Sequence, residues 1–349
     1  MTPEKLKQTD ESLVNLIRDR LRIVAQSGVP NLGPHISSLF AKLSVPKSVW
    51  ASNALTTYIA GLSAKASGIN NNEVKPKTVT VIGGRGRMGA FFCQQLSATG
   101  HKVSVLGHHD WAIADKLLGE AELVLVSVPI EHTVDVIKRA ARYLAPTTAL
   151  ADITSIKVQP VQTMLEHHTG PVMGLHPMFG PSVKSFSEQK VVVCSGRNDD
   201  AFQWLVDLMA SKGAQIINCT PEEHDRMMVI IQATRHFSRL CFGIFLAEER
   251  IDIDRSLLMS SPTYRQEIEI ANRLFAQNPA LCADIILATE DRIQAIEKLA
   301  STYNRLAELV ANKDRTALIQ EFEKTQSFFT QERLRSSNER EHAIAASSN

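Results

Sequence analysis

From residue 78 onward the chain alternates between short apolar runs, many of them β-branched, and longer stretches whose apolar positions recur every three or four residues. The runs "TVTVIGG", "KVSVLG", "AELVLVSVP", "TALADITS" and "PVMGLHP" stand about 20 to 25 residues apart, with helical segments between them. Strands separated by helices make βαβ units, and these make a parallel sheet. "KVVVCSG" and "AQIINC" extend that sheet. From Pro221 to about Glu332 the strand signals stop and long helical patterns take over, among them "PEEHDRMMVIIQATRHFSRLCFGIFLAEE" and "TYRQEIEIANRLFAQ". That predicts an all-α second domain.

Ahead of the sheet, Leu13, Leu16, Ile17, Leu21 and Val24 mark an amphipathic helix over residues 9–27, with Thr9 or Asp10 as its N-cap. "SGVPNLGPH" breaks it, a second helical run covers about residues 47–65, and "SGINNNEVKPK" is polar and turn-rich. The tail "REHAIAASSN" has little to pack. The predicted organisation is a helical segment 1–66, a linker 67–77, an α/β domain 78–219, a helical domain 220–335 and a flexible tail 336–349.

Composition narrows the class without naming a chemistry. A chain of 349 residues, 44% hydrophobic and 21% charged, is long enough for two domains with buried cores. A formal net charge of +1 gives no case for nucleic acid or an anionic membrane as main partner. The five cysteines are scattered, odd in number and without a CxxC pair, which suits a reducing cytoplasm better than disulfides or a metal site. The N-terminus lacks an apolar core of signal-peptide type, and no uninterrupted apolar stretch is long enough to span a bilayer. The expectation is a soluble cytoplasmic protein.

The first strand ends in Gly84-Arg85-Gly86-Arg87-Met88-Gly89, a GxGxxG that opens a predicted helix. In that context the first glycine permits a tight turn, the second lets backbone approach a pyrophosphate, and the third allows close helix packing. The helix N-terminus adds amides and a positive dipole end. The fold class expected is thus α/β, a Rossmann-type dinucleotide-binding domain followed by helices. An NAD site usually carries a carboxylate at the end of the second strand, bonded to the ribose 2′-hydroxyl. Here that position is Gly107, with His108 and Arg85 nearby and Asp110 three residues on. This leaves room for the 2′-phosphate of NADP, unless Asp110 folds back to the ribose, so the cofactor is NAD or NADP.

Ligands of such sheets lie beyond the carboxyl ends of the strands. Ser127, Pro129 and Ile130 fall there, as do Asp152 to Lys157 in "DITSIK" and His176 in "GLHPMFGP". His176 is either a structural ring satisfied by a backbone carbonyl or a general base at the cofactor cleft. On the helix from Pro221, the spacing of His224, Met228, Ile231 and Arg235 predicts one shared face, turned to a ligand or to solvent. Glu269 and Arg273, four apart, are either a surface ion pair or leave an arginine fork for a carboxylate.

Taken together, "VIGGRGRMG", "VLGHHDW", "VSVPI", "DITSIK", "GLHPMFGP", "EEHDRMMVIIQATRHF", "LAEE", "SSPTYRQEIEIANRLFAQNP" and "ADII" resemble prephenate dehydrogenase. The likeness is to the dehydrogenase half of the bifunctional chorismate mutase–prephenate dehydrogenases, and it runs from about Lys77 to Phe328 with the motifs in order. The resemblance implies oxidative decarboxylation of prephenate by NAD(P)+ in tyrosine biosynthesis, giving 4-hydroxyphenylpyruvate, CO2 and NAD(P)H. It implies that His176 is the base that takes the ring-hydroxyl proton, and that Ser155 lies close to the hydroxyl and the nicotinamide. It assigns Arg273 to the ring carboxylate and places Lys157, His224, His236 and Arg265 in or near the substrate site. It further implies a homodimer formed through the helical domain.

Two departures stand out. Gly107 replaces an acidic residue of the enteric enzymes, which bears on strict NAD dependence. "TDESLVNLIRDRLRIVAQSG" resembles the first mutase helix, with Asp10 and Arg20 at matching positions, but Pro3 stands where its first arginine belongs and the lysine-bearing segment is shortened. The mutase reaction needs several cations around a dianionic transition state, so no chorismate mutase activity is expected. Arogenate dehydrogenase is the nearest alternative, and a non-catalytic dinucleotide-binding regulatory protein is the alternative of another class.

Overall fold

The structure, a computed structural model, describes residues 75–346, with side chains to residue 331. The segment 1–66 and most of the linker 67–77 lie outside the described residues. The described chain forms two compact units, one through Asp225 and one from Arg226.

The first unit is built on seven strands: β1 (Thr78–Ile82), β2 (Lys102–Leu106), β3 (Leu123–Val126), β4 (Ala149–Asp152), β5 (Val172–Pro177), β6 (Lys190–Arg197) and β7 (Gln215–Cys219). They lie in the order β2-β1-β3-β4-β5-β6-β7. Helices α1 (Arg87–Ser97), α2 (Ala114–Gly119), α3 (Ile130–Ala141), α4 (Val158–His167) and α5 (Gln203–Ser211) join them. All seven expected strands form. One orientation departs from the expected parallel sheet: β5 and β6 run antiparallel, while the other neighbouring pairs are parallel. The cause is the connection. Residues 178–189 hold no helix, and a parallel return needs a crossover that covers the sheet.

Alternation explains why the central strands read as unbroken apolar runs. Val79, Val81, Leu123 and Leu125 feed one core, which includes Phe91, Phe92 and Phe186; Ile82, Val124 and Val126 feed the other, with Leu106, Ile137 and Met164. Both faces are buried, as a parallel sheet flanked by helices requires, and each buried aliphatic side chain stabilises by about 1.5–3 kcal/mol. Thr80, polar within β1, meets that demand by donating its hydroxyl to the Leu117 carbonyl at 2.6 Å.

The second unit is helical. Helix α6 (Pro221–Met228) leads into a π-helical turn over Val229–Thr234, then α7 (Arg235–Glu248), α8 (Ile253–Leu258), α9 (Pro262–Phe275), α10 (Pro279–Leu287), α11 (Glu290–Ala311) and α12 (Arg315–Ala346). Ser261 and Asn278 cap α9 and α10, each followed by proline at the first helical position, the arrangement that proline's fixed φ and missing N–H favour. The two compact units divide inside α6, between Asp225 and Arg226. Helix α12 continues to Ala346, so the tail expected to be flexible from 336 is helical as far as described, in keeping with its glutamates, arginines and alanines. Among the described residues no helix is long and apolar enough to cross a membrane, and no group of three or more His, Cys, Asp or Glu could hold a metal ion.

Candidate active site

The connection reverses between β1 and β3, so a crevice opens beyond their carboxyl ends. Two glycines make that crevice tight. Gly83, which the three-glycine pattern misses, has φ +81°, and a Cβ there would fall 2.1 Å from the Ser127 carbonyl oxygen. A Cβ on Gly89 would fall 2.5 Å from the Gly83 oxygen, so α1 can seat on the loop only with glycine there. Gly86 begins α1 in an extended conformation with no side-chain cap. Its first-turn amides therefore lack an intrahelical acceptor, the condition for holding phosphate oxygens. Arg85 and Arg87 are exposed, whereas the half-buried Met88 side chain packs on the core. Ser127 and Ile130 are half-buried, and Pro129 begins α3.

At the end of β2 Asp110 does fold back. Its Oδ2 accepts from the Gly107 amide at 2.8 Å and pairs with Arg85 Nη2 at 2.9 Å. A Cβ at Gly107 would lie 2.3 Å from Arg85 Nη1, so a larger residue there would displace the guanidinium from its present place. A carboxylate thus reaches this strand end from three residues away, together with an arginine. His108 is exposed, edge-on to His109. These residues fit a dinucleotide: an uncapped helix start for its pyrophosphate, and both an anion and a cation where its adenosine ribose belongs.

A second cluster gathers at the ends of β4 and β5. His176, 4% exposed, shares a 2.7 Å hydrogen bond between its Nδ1 and Nε2 of His224, the rings meeting edge to face. His224 Nδ1 lies 2.7 Å from Oδ1 of Asp225. The two oxygens of Asp225 also accept from the Lys157 amide at 2.7 Å and the Val158 amide at 2.9 Å, so Asp225 caps α4 from another helix. Beneath lies a fully buried ion pair of Lys157 Nζ with Asp152 Oδ2; the ammonium also donates to the Leu175 carbonyl at 2.8 Å. Asp152 accepts from the Thr154 amide at 2.9 Å as well. Ser155 stands in this β4–α4 loop, with its hydroxyl oxygen buried.

The electrostatics follow from burial and partners. Burial lowers the proton affinity of His224 against the pull of Asp225. Burial works to raise Asp225, but bonds from His224 and from the Val158 and Lys157 amides prevail and hold its carboxyl below the usual range. Burial pushes the Asp152 carboxyl up, opposed by the Lys157 ammonium. The sequence placed Lys157 and His224 among substrate-binding residues. In the structure the Lys157 ammonium is bonded to Asp152 and to the Leu175 carbonyl, and both ring nitrogens of His224 are engaged, by His176 and Asp225. Asp225 was missed. Its only signal was adjacency to His224, since nothing in a sequence marks a carboxylate that caps a distant helix.

The helical unit holds the remaining candidates. Arg273 is exposed in the last turn of α9, and among the described residues no ion pair joins it to Glu269. That leaves the guanidinium available as a carboxylate fork. Arg265 donates to Ser260 Oγ at 3.3 Å and lines a cavity of about 340 Å³ with Leu257, Leu258, Ile268, Glu269 and Asn272. His236 donates from Nδ1 to the Gln232 carbonyl at 2.7 Å, and burial lowers its proton affinity. The face predicted for His224, Met228, Ile231 and Arg235 does not hold. Met228 is 3% exposed but Ile231 is 44% exposed, and the next buried position is Ala233. The π-turn inserts a residue and rotates the stripe.

Residues 98–218 match the family model described as prephenate dehydrogenase, nucleotide-binding domain, and residues 220–324 match that of prephenate dehydrogenase, dimerization domain. The T-protein of Haemophilus influenzae is 36% identical over 341 residues, covering 93% of this chain and 90% of that protein. The T-protein of Enterobacter agglomerans is 34% identical over 342 residues, covering 93% and 91%. Among solved structures, prephenate dehydrogenase from A. aeolicus in complex with hydroxyphenyl propionate and NAD+ shares the fold. Its TM-score is 0.58 at 17% identity, covering 73% of this chain and 98% of that one. With a sheet built around a dinucleotide loop, family models over most of the length and relatives along nearly all of it, the chain belongs to the prephenate dehydrogenase family.

Proposed function

We propose that the chain catalyses the oxidative decarboxylation of prephenate to 4-hydroxyphenylpyruvate with NAD(P)+. The observation that carries this reading is His176: a buried imidazole at the carboxyl end of β5, bonded through one nitrogen to an internal dyad, in the sheet that bears the glycine loop. An imidazole takes and returns protons near neutral pH. His176 accepts the proton of the ring hydroxyl, with Ser155 orienting that hydroxyl. When bound, the oxidised dinucleotide supplies the hydride acceptor. Departure of the ring carboxylate as CO2 leaves its electron pair in the ring, which becomes aromatic, and His176 returns the proton to the phenolate. Arg273 holds the ring carboxylate bidentately, which only a guanidinium does well. His236 and Arg265 are the further residues assigned to substrate binding.

Gly86 and the first turn of α1 hold the pyrophosphate, and the adenosine ribose falls to the Gly107 strand end. There Asp110 suits a 2′-hydroxyl and Arg85 a 2′-phosphate, so both NAD+ and NADP+ serve. One assay tests the whole reading: purified protein with prephenate or arogenate and NAD+ or NADP+, followed by absorbance of the reduced dinucleotide. Turnover with prephenate is expected with either dinucleotide. No turnover in any of the four combinations would remove the enzymatic reading, and a preference between dinucleotides beyond about 10³-fold, some 4 kcal/mol, would remove the shared site. Chorismate alone, in the same assay, is expected to disappear no faster than without protein.

The helical unit exposes Ile230, Phe245, Leu258, Met259, Phe275 and Leu287. Together with the match of this unit to a dimerization-domain model, these exposed apolar side chains support its assignment to a homodimer. Light scattering is expected to give twice the 38.6 kDa of one chain; a monomer at micromolar concentration would refute it.

A further inference from the structure

We propose that Asp225, acting through His224, sets which nitrogen of His176 is the base and compensates the charge that His176 acquires. The inference rests on the enzymatic reading above and adds to it a positioning pair and a named atom.

The count of available hydrogens fixes the tautomers. Asp225 takes the Lys157 and Val158 amides at 2.7 and 2.9 Å and the His224 ring at 2.7 Å. Two backbone donors, at the start of a helix whose dipole favours an anion, keep this carboxylate ionised, and its lowered proton affinity agrees. An ionised carboxylate only accepts. His224 Nδ1 must therefore carry the hydrogen of its bond to Asp225. A neutral His224 then has a bare Nε2, which can only accept. Its partner at 2.7 Å is Nδ1 of His176, which must in turn donate. With its hydrogen on Nδ1, neutral His176 holds its basic lone pair on Nε2.

The tautomers are thus read outward from Asp225: fixed amides, carboxylate, first ring, second ring. When Nε2 takes the substrate proton, His176 becomes a cation, and its Nδ1–H bond to His224 strengthens. The charges that act on the adjoining His224 are Asp225 and the enclosed pair of Asp152 and Lys157, while burial keeps the Cys194 thiol of β6 protonated. Asp152 and Lys157 offset one another, so Asp225 is the uncompensated anion. His224 need not change protonation for this to work. Asp225 touches no reacting atom and is a positioning residue; the same oxygens tie the start of α4, and hence the Ser155 loop, to His176.

Asp225→Asn keeps the shape but can turn its amide toward His224, which reverses both tautomers. The expected result is a fall in kcat of about 10²–10³-fold, with KM for prephenate changed by less than about threefold. Removing the anion also disfavours the imidazolium, so the acid limb of the kcat/KM profile moves to lower pH. A purely structural role would leave that limb where it is; an unmoved limb with near-normal kcat overturns the proposal. Since Asp225 also caps α4, a second pair of variants is needed. In His224→Gln the side chain can still accept from His176 and donate to Asp225, whereas in His224→Leu it can do neither. The glutamine variant is expected to exceed the leucine variant in kcat by at least about tenfold; equal losses overturn the proposal.

A third readout needs no turnover. Nitrogen-15 spectra of the histidine rings in the unliganded protein should show His176 and His224 both protonated on Nδ1. Protonation of neutral His176 on Nε2 refutes the chain of tautomers whatever the activity, while failure of the enzymatic reading would appear instead as absence of turnover in the wild-type protein.

Discussion

His176→Asn is expected to lower kcat by roughly 10²–10⁴-fold, the range over which a positioned general base contributes, with KM for prephenate nearly unchanged. Asparagine preserves the polarity of the site but offers no nitrogen that titrates near neutrality. Its amide can still donate toward His224 Nε2, so the buried cluster keeps its hydrogen bond and folding is little affected. Arg273→Ala should show the opposite signature. The guanidinium is exposed, so its loss removes substrate affinity rather than a proton acceptor, and KM rises while kcat falls less. Steady-state kinetics of the two variants, side by side, check both roles. Near-normal kcat in His176→Asn would remove it as the base, and an unchanged KM in Arg273→Ala would remove the carboxylate fork.

The second large effect concerns stability. Lys157→Met is expected to destabilise the first unit by about 3–5 kcal/mol, because breaking a buried ion pair leaves an uncompensated charge. Lys157 and Asp152 have no exposed side-chain surface, so water cannot replace the lost partner. At about 2–4 °C of Tm per kcal/mol, calorimetry should register a drop on the order of 10 °C. The deficit should also depend on pH. Burial already pushes the Asp152 carboxyl up, and the Lys157 ammonium opposes that; without the ammonium it climbs further. A carboxyl with a higher pKa folded than unfolded contributes stability below the unfolded value and loses it as pH rises through the folded one. The variant should therefore lie nearest wild type in acid and fall away toward neutrality. The double variant Lys157→Met with Asp152→Leu should recover part of the loss, since it leaves no charge behind. A Tm unchanged in the single variant would show that the pair carries no such burden.

Much of the molecule was legible beforehand, for reasons that differ by element. The strands were readable because a sheet buried on both faces requires unbroken apolar runs, and "LVLV" and "TVTVI" are such runs. The dinucleotide loop was readable because close approach of backbone to backbone admits no Cβ, and only glycine meets that demand. Ser261-Pro262 and Asn278-Pro279 announce helix starts by the same local logic. The lone His176 was placed at the cleft because its strand end is fixed by topology, and strand ends are where such sheets bind.

What stayed hidden is what depends on distance in space rather than spacing along the chain. The antiparallel turn of β6 follows from a connection that happens to lack a helix. The fold-back of Asp110 onto Gly107 was one of two outcomes the sequence left open, and only the fold chose between them. The π-turn after Met228 breaks a face that regular periodicity predicts, because one extra residue rotates all that follows. Asp225 is the clearest case: its neighbours are Lys157 and Val158, far back in the chain, and no periodicity links them. By itself the sequence determined the strands, the helices, the glycine loop and the family, all written in local preferences and short motifs. Only the tertiary structure decided which charges are enclosed and which rings share a hydrogen bond, because hydrogen bonds and burial are set by neighbours that the chain brings together only when it folds.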